Sequence, residues 1–150
     1  MSLCPESFLN HLIKRDISFF TGVPDSLLKY LCLCIDQNIN LKNNHIITSN
    51  EGSAIGLATG YHLGTNKIPL VYMQNSGLGN AINPLLSLTD SKVYSIPMLL
   101  LIGWRGEPGI KDEPQHITQG EIQIDLLNSL QLPYKIISEQ SSNYKTIIDY

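Results

Sequence analysis

Apolar positions along this chain recur with two alternating periods. From Pro5, a residue suited to the first turn of a helix, Phe8, Leu9, Leu12 and Ile13 fall at helical spacing up to Arg15. Ile17 to Thr21 is then a short β-branched and aromatic run closed by Gly22-Val23-Pro24-Asp25-Ser26, and an apolar helix is predicted from Leu27 to Gln37. The unit repeats. His45 to Thr48 predicts a strand, Ser49-Asn50 an N-cap, and Glu51 to Leu63 a helix of small residues. Pro69 to Met73 predicts the next strand, Gln74 to Gly79 a polar turn, and Asn80 to Leu88 a helix that accommodates Pro84 only near its first turns.

Ile96 to Ile102 is a continuous apolar run, as expected of a strand buried on both faces. A long loop, Gly103 to Gly120, separates it from a helix over Glu121 to Leu130, and Tyr134 to Ser138 reads as a fifth strand. Ser141 and Ser142 stand where they would cap a last helix with apolar positions Tyr144, Ile147 and Ile148, so a domain truncated at its C-terminal helix is expected. Strands alternating with helices favour a mostly parallel sheet, because each parallel crossover needs a helix's worth of chain. The fold class is therefore α/β, doubly wound, with helices on both faces, and residues 1–150 form one domain.

Composition narrows the function classes. With 43% hydrophobic and 15% charged residues, the chain has an ample interior and is not disordered. A net charge of -3 with ten singly scattered Lys and Arg leaves no basic face for nucleic acid. No apolar run approaches the roughly 20 residues that span a bilayer, and the N-terminus lacks a signal-peptide layout, so no membrane association and a cytoplasmic location are expected. Cys4, Cys32 and Cys34 are odd in number and read as reduced core thiols. His11, His45 and His62 form no cluster with Cys or carboxylates, so no metal site is expected in this chain.

In open α/β sheets ligands bind beyond the carboxyl ends of the strands. The corresponding loops, Thr21 to Ser26, Ser49 to Gly52, Gln74 to Asn80 and Gly103 to Gly120, hold most of the unusual polar and Gly-rich sequence. Glu51 gains about 0.3–1 kcal/mol from the helix N-terminal dipole, which by itself accounts for a carboxylate there. Gly52, Gly56 and Gly60 are less ordinary, since each costs roughly 1 kcal/mol of helix propensity relative to Ala. A neighbouring element or a second subunit is expected to pack close to that face. Gly77-x-Gly79 lacks the third glycine and the downstream acid of a dinucleotide fingerprint. Arg105 and Lys111 suit an anionic ligand and His116 a proton transfer, with a solvated surface loop as the alternative reading.

Four segments, Phe20 to Leu28 (FTGVPDSLL), Asn50 to Gly60 (NEGSAIGLATG), Met73 to Asn80 (MQNSGLGN) and Gly103 to Gly109 (GWRGEPG), occur in an informative order. Together they resemble the phosphonopyruvate and sulfopyruvate decarboxylases, thiamine-diphosphate-dependent 2-oxoacid decarboxylases. The likeness runs from the first helix through Asp112-Glu-Pro-Gln-His116 and Gly120.

The resemblance implies a pyrimidine-binding (Pyr) domain that shares its cofactor, thiamine diphosphate, with a pyrophosphate-binding (PP) domain of another subunit. It implies that Glu51 hydrogen-bonds N1′ of the aminopyrimidine and so favours loss of the C2 proton. Asp25 and His116 are implied in substrate binding or proton transfer, Gln74, Asn75 and Gly77 in holding the cofactor, and Pro24 and Arg105 in binding a small anionic 2-oxoacid. Mg2+ would be bound by the PP domain, whose Gly-Asp-Gly and downstream Asn motif is absent from this chain.

The implied partner is a fused PP domain or a β subunit, in an assembly that is at least dimeric, and the chain alone is expected to be inactive. The implied reaction is phosphonopyruvate to phosphonoacetaldehyde and CO2, with sulfopyruvate as the alternative substrate. A non-catalytic flavodoxin-like or receiver-like module is the alternative of a different class.

Overall fold

The structure, a computed structural model, describes residues 3–138 and 144–149. Four strands, β1 (Phe20–Gly22), β2 (His45–Ile47), β3 (Leu70–Gln74) and β4 (Leu99–Gly103), pair in parallel in the order β2-β1-β3-β4. Phe20 is in register with both His45 and Leu70, and Tyr72 with Leu101. The chain moves from β1 outward to β2, then crosses back past β1 to β3. Strand order therefore reverses between β1 and β3, and the loops leaving their carboxyl ends diverge to leave a crevice.

The helices are α1 (Pro5–Lys14), α2 (Lys29–Gln37), α3 (Glu51–Thr65), α4 (Leu78–Pro84), α5 (Pro114–Glu121), α6 (Gln123–Ser129) and α7 (Tyr144–Ile148). Successive residues of a strand face opposite sides, and β3 shows this in its packing. Leu70 and Tyr72 join Phe8, Leu9, Leu12, Leu31 and Ile35 of α1 and α2, while Val71 and Met73 join Ala54, Ile55 and Ala58 of α3 with Leu78, Ala81 and Leu127. Two cores thus cover the two faces of the sheet, as a doubly wound fold requires. Removing each Leu, Ile or Phe side chain from water contributes about 1.5–3 kcal/mol. The alanines of α3 let that helix lie close on the sheet.

Several elements differ from the sequence expectation. The fifth strand, Tyr134 to Ser138, makes no ladder among the described residues; Ile137 packs on the first core, while Ile136 remains 54% exposed. Its alternating pattern is met by packing one side chain on the core, with no strand ladder among the described residues. Within the apolar run Ile96 is buried, but Leu99 to Ile102 of β4 are only half-buried, because β4 is an edge of the four-stranded sheet rather than a central strand.

Within the predicted loop Gly103 to Gly120, Pro114 stands at the first position of α5, a helix whose polar sequence shows no apolar period. The predicted helix start at Asn80 moves back to Leu78, so Pro84 closes α4 and the chain continues as a π-turn over Leu85–Thr89. Pro84 cannot donate to the ladder, which accounts for the break there.

Cys4 is exposed and is no core thiol; Cys32 and Cys34 are half-buried against the first core, and burial pushes the Cys32 thiol up to about 11. Ser141 and Ser142 lie outside the described residues. The last helix, α7, places Tyr144 in the first core, where its hydroxyl meets Ser7 Oγ at 2.7 Å. Among the described residues no helix is long and apolar enough to cross a membrane.

The two-sided core makes a stability prediction. Ile55→Ala should lower the free energy of unfolding by about 2–5 kcal/mol, whereas Leu63→Ala on the open side of α3 should stay within about 0.5 kcal/mol. Urea unfolding midpoints check this, and equal losses would contradict the assigned faces of α3.

Candidate active site

Glu51 begins α3. Asn50 is the extended N-cap residue, and its Oδ1 accepts from Ser53 N at 2.9 Å, which leaves Glu51 on the first turn beside unpaired amides. The Glu51 residue is only 8% exposed. A carboxylate withdrawn this far from water needs both space and donors.

Gly77 supplies the space, since a Cβ there would lie 2.6 Å from Glu51 Cγ, well inside the roughly 3.5–4.0 Å of ordinary carbon contact. Asn80 supplies the donor: its Nδ2 donates to Glu51 Oε2 at 2.8 Å. Glu51 Oε1 accepts no hydrogen bond from the described residues. None of those residues fully buries an unpartnered side-chain nitrogen or oxygen, so Oε1 is not completely enclosed.

Hydrogen bonds bring the other loops to the same end of the sheet. Asn75, 1% exposed, donates through Nδ2 to the Arg105 carbonyl at 2.8 Å and accepts from Arg105 N at 3.2 Å. Its amide joins the loop after β3 to the loop after β4. Arg105 pairs with Asp112, its Nε donating to Oδ2 at 2.7 Å and Nη2 donating to Oδ1, and its Nη1 donates to Ser26 Oγ at 2.9 Å.

The Arg105 guanidinium, together with the amides of Gly106 and Glu113, holds the Asp112 carboxyl well below the usual carboxylate range. Burial opposes that shift without reversing it. Trp104 Nε1 donates to Gly120 O at 2.9 Å, and α5 packs on the turn Asn75–Gly77. The carboxylate of Asp25 is buried and accepts from Leu27 N at 3.1 Å, lying against Gly103.

The structure therefore joins Glu51 to Gly77, and Asn75 and Arg105 to each other, while Arg105 reaches the loop that carries Pro24 and Asp25. Gln74 is half-buried and turns its amide to Ser76 Oγ at 2.6 Å, and Pro24 is exposed. His116 is half-buried on α5, which rests against the turn holding Gly77. The arrangement leaves one carboxylate oxygen, Glu51 Oε1, without a hydrogen bond among the described residues and lying against Gly77 at the strand ends. Among the described residues no group of three or more His, Cys, Asp or Glu is placed to hold a metal ion.

Two residues escaped the sequence reading as site members. Asn80 belongs to the Gln74 to Asn80 motif, yet nothing local shows that its amide turns back to Glu51. Asp112 was one of several loop acids, and its pairing with Arg105 appears only once the loop is folded. Within the chain, the neighbouring element expected against the glycine stripe is met at Gly52. A Cβ at Gly52 would lie 2.9 Å from the Asn80 carbonyl oxygen, while at Gly56 and Gly60 none of the described residues comes within 4 Å.

Comparison with known proteins adds an independent finding. Residues 6–129 match the model of the thiamine pyrophosphate enzyme, N-terminal TPP binding domain. The chain is 35% identical over 144 residues to sulfopyruvate decarboxylase subunit alpha of Methanococcus maripaludis, covering 96% of this chain and 83% of that protein. It is 37% identical over 131 residues to phosphonopyruvate decarboxylase of Streptomyces viridochromogenes, covering 87% of this chain but 32% of that protein. Among solved structures, the thiamine diphosphate-dependent 4-hydroxybenzoylformate decarboxylase of Rhodococcus jostii RHA1 superposes with a TM-score of 0.55 at 27% identity, covering 67% of this chain and 18% of that one.

The Arg105–Asp112 tie makes a prediction with a definite sign. A carboxyl whose folded-state value is lowered contributes stability above its unfolded value, lost only as pH falls through the lowered one. Emission of Trp104, the single tryptophan, should stay constant as pH falls from about 7 to about 3, through the ordinary aspartate value of roughly 3.9. Asp112→Asn should shift it to the red throughout that window and expose the 106–112 segment to protease. Wild-type emission that changes as pH falls through roughly 4, where an untied aspartate takes up its proton, would contradict the tie.

Proposed function

The chain belongs to the family of thiamine pyrophosphate enzyme N-terminal TPP binding domains, and from that premise we propose that it supplies the pyrimidine-activating half of a 2-oxoacid decarboxylase. The observation that carries the reading is the Glu51 carboxylate, withdrawn from water at the start of α3 with Oε2 held by Asn80 and Oε1 open. Such an oxygen is placed to accept the proton of a ring nitrogen. A low-dielectric setting strengthens that hydrogen bond and favours sharing of the proton.

When bound, thiamine diphosphate supplies an acidic C2 carbon and a ring that accepts the electrons released with CO2. The residues of this chain do the rest of the work on this side. Glu51 Oε1 holds the proton at the pyrimidine N1′, and Gly77 keeps that approach clear. Gln74 and Asn75 border the ring, with Asn75 acting through the loop it fixes, because its amide is committed to Arg105. Asp25 and His116 bind the substrate or move a proton near its carbonyl, and Pro24 lines the entry.

Arg105 presents positive charge to an anionic substrate head. Its fork is occupied by Asp112 and Ser26, so an incoming dianion has to compete with Asp112 for it. The diphosphate and Mg2+ belong to a PP domain or β subunit, and the assembly is at least dimeric, with the open Gly56 and Gly60 side of α3 available for a second chain.

The substrate we favour is phosphonopyruvate, decarboxylated to phosphonoacetaldehyde. Likeness to the sulfopyruvate decarboxylase alpha subunit over 96% of this chain supports sulfopyruvate as the second reading. Both acids carry a compact tetrahedral anion one carbon from the 2-oxo acid unit.

The test is reconstitution with the PP partner, Mg2+ and thiamine diphosphate, following CO2 from each acid. One of the two should turn over, and Glu51→Gln should slow it by about 100-fold or more, in line with loss of a positioned acid–base group. Undiminished turnover in Glu51→Gln would sink the role of Glu51, and release from neither acid would sink the substrate class.

A further inference from the structure

We infer that Asn80 is a positioning residue for cofactor activation: its side-chain amide holds one oxygen of the Glu51 carboxylate so that the other stays free for the pyrimidine. The inference rests on the reading of Glu51 given above and adds a residue to it. A carboxylate has two oxygens, and the torsion that exchanges them is broad and nearly two-fold, so without a second contact either oxygen can face the crevice. The 2.8 Å bond from Asn80 Nδ2 to Oε2 removes that freedom.

The backbone is shaped for this contact. Asn80 lies between Leu78 and Ala81, both fully buried on the second core, so the register of α4 is fixed against the sheet. Its carbonyl comes so near α3 that a Cβ on Gly52 would lie 2.9 Å away. The first turns of α3 and α4 are thereby drawn together, and the amide reaches a carboxylate on the adjoining helix.

The choice of an amide also follows from charge. Lys or Arg at this place would neutralise the carboxylate, and Asp or Glu would repel it. An amide N–H donates to the carboxylate without altering the net charge of the site. The same bond offsets the cost of withdrawing Glu51 from water.

The test uses the complete complex with its PP partner and Mg2+, and reads hydrogen–deuterium exchange at C2 of bound thiamine diphosphate, a step that needs no substrate. Asn80→Leu keeps a similar volume and removes the donor. Exchange at saturating cofactor should slow roughly tenfold, as expected for losing a hydrogen bond to a charged acceptor, while cofactor affinity changes by less than about threefold. In a Glu51→Gln background, Asn80→Leu should produce no further slowing, because it acts through Glu51.

Wild-type exchange in Asn80→Leu, or an equal further loss in the double variant, would overturn the inference. If Glu51→Gln itself exchanges normally, the Glu51 reading fails first, so the two failures are separable. Should Asn80→Leu not fold, the wild-type complex still decides. Its Asn80 side-chain amide resonance should be shifted and protected from solvent exchange, and Glu51→Gln should move it; an unprotected resonance indifferent to Glu51 would overturn the inference.

Discussion

A carboxylate sits largely out of water between the first turns of two helices, and this needs three local conditions at once. Gly77 must lack a side chain so that Glu51 has room, Gly52 must lack one so that α4 can come near, and Asn80 must donate to one carboxylate oxygen. Because withdrawing an unpaired charge is far costlier than any single packing term, these conditions constrain the loops around them. The helix N-terminus adds a favourable field but is too weak to hold such a group by itself. The two cores serve this junction by fixing α3 and α4 on the same face of the sheet.

Around that junction, polar side chains hold the other strand-end loops in place. Asn75 ties the loop after β3 to the loop after β4, and Arg105 with Asp112 closes the latter on itself while reaching Ser26 of the loop after β1. Trp104 anchors the same loop to α5 through Gly120. Several polar residues that look like ligands in a linear motif are thus spent on holding backbone. The acceptor left open at Glu51 stands out because its neighbours are already paired.

Much of this was legible in the chain before folding. Alternating strand and helix patterns placed the sheet, and the loops with unusual chemistry fell at the carboxyl ends of strands, where the fold brings them together. The fifth strand was not legible, because an alternating five-residue run looks alike whether it pairs or rests one side chain on a core, as Ile137 does. Helix α5 was missed since it is polar and begins with a proline. Of the glycine stripe on α3, expected to pack on a neighbouring element or a second subunit, Gly52 meets α4, and no other described residue comes near Gly56 or Gly60. Asn80 and Asp112 were hidden for another reason: each acts on a residue that only the folded loops bring within reach.

The central claim is that Glu51 offers one oxygen to the cofactor's pyrimidine while Asn80 keeps the other. A crystal structure of the chain assembled with its PP partner, Mg2+ and thiamine diphosphate tests it most directly. The account predicts N1′ within hydrogen-bonding distance of Glu51 Oε1, with Oε2 still on Asn80 Nδ2 and the ring passing over Gly77. A pyrimidine bound away from Glu51, or a Glu51 carboxylate turned so that Asn80 holds neither oxygen, would contradict it.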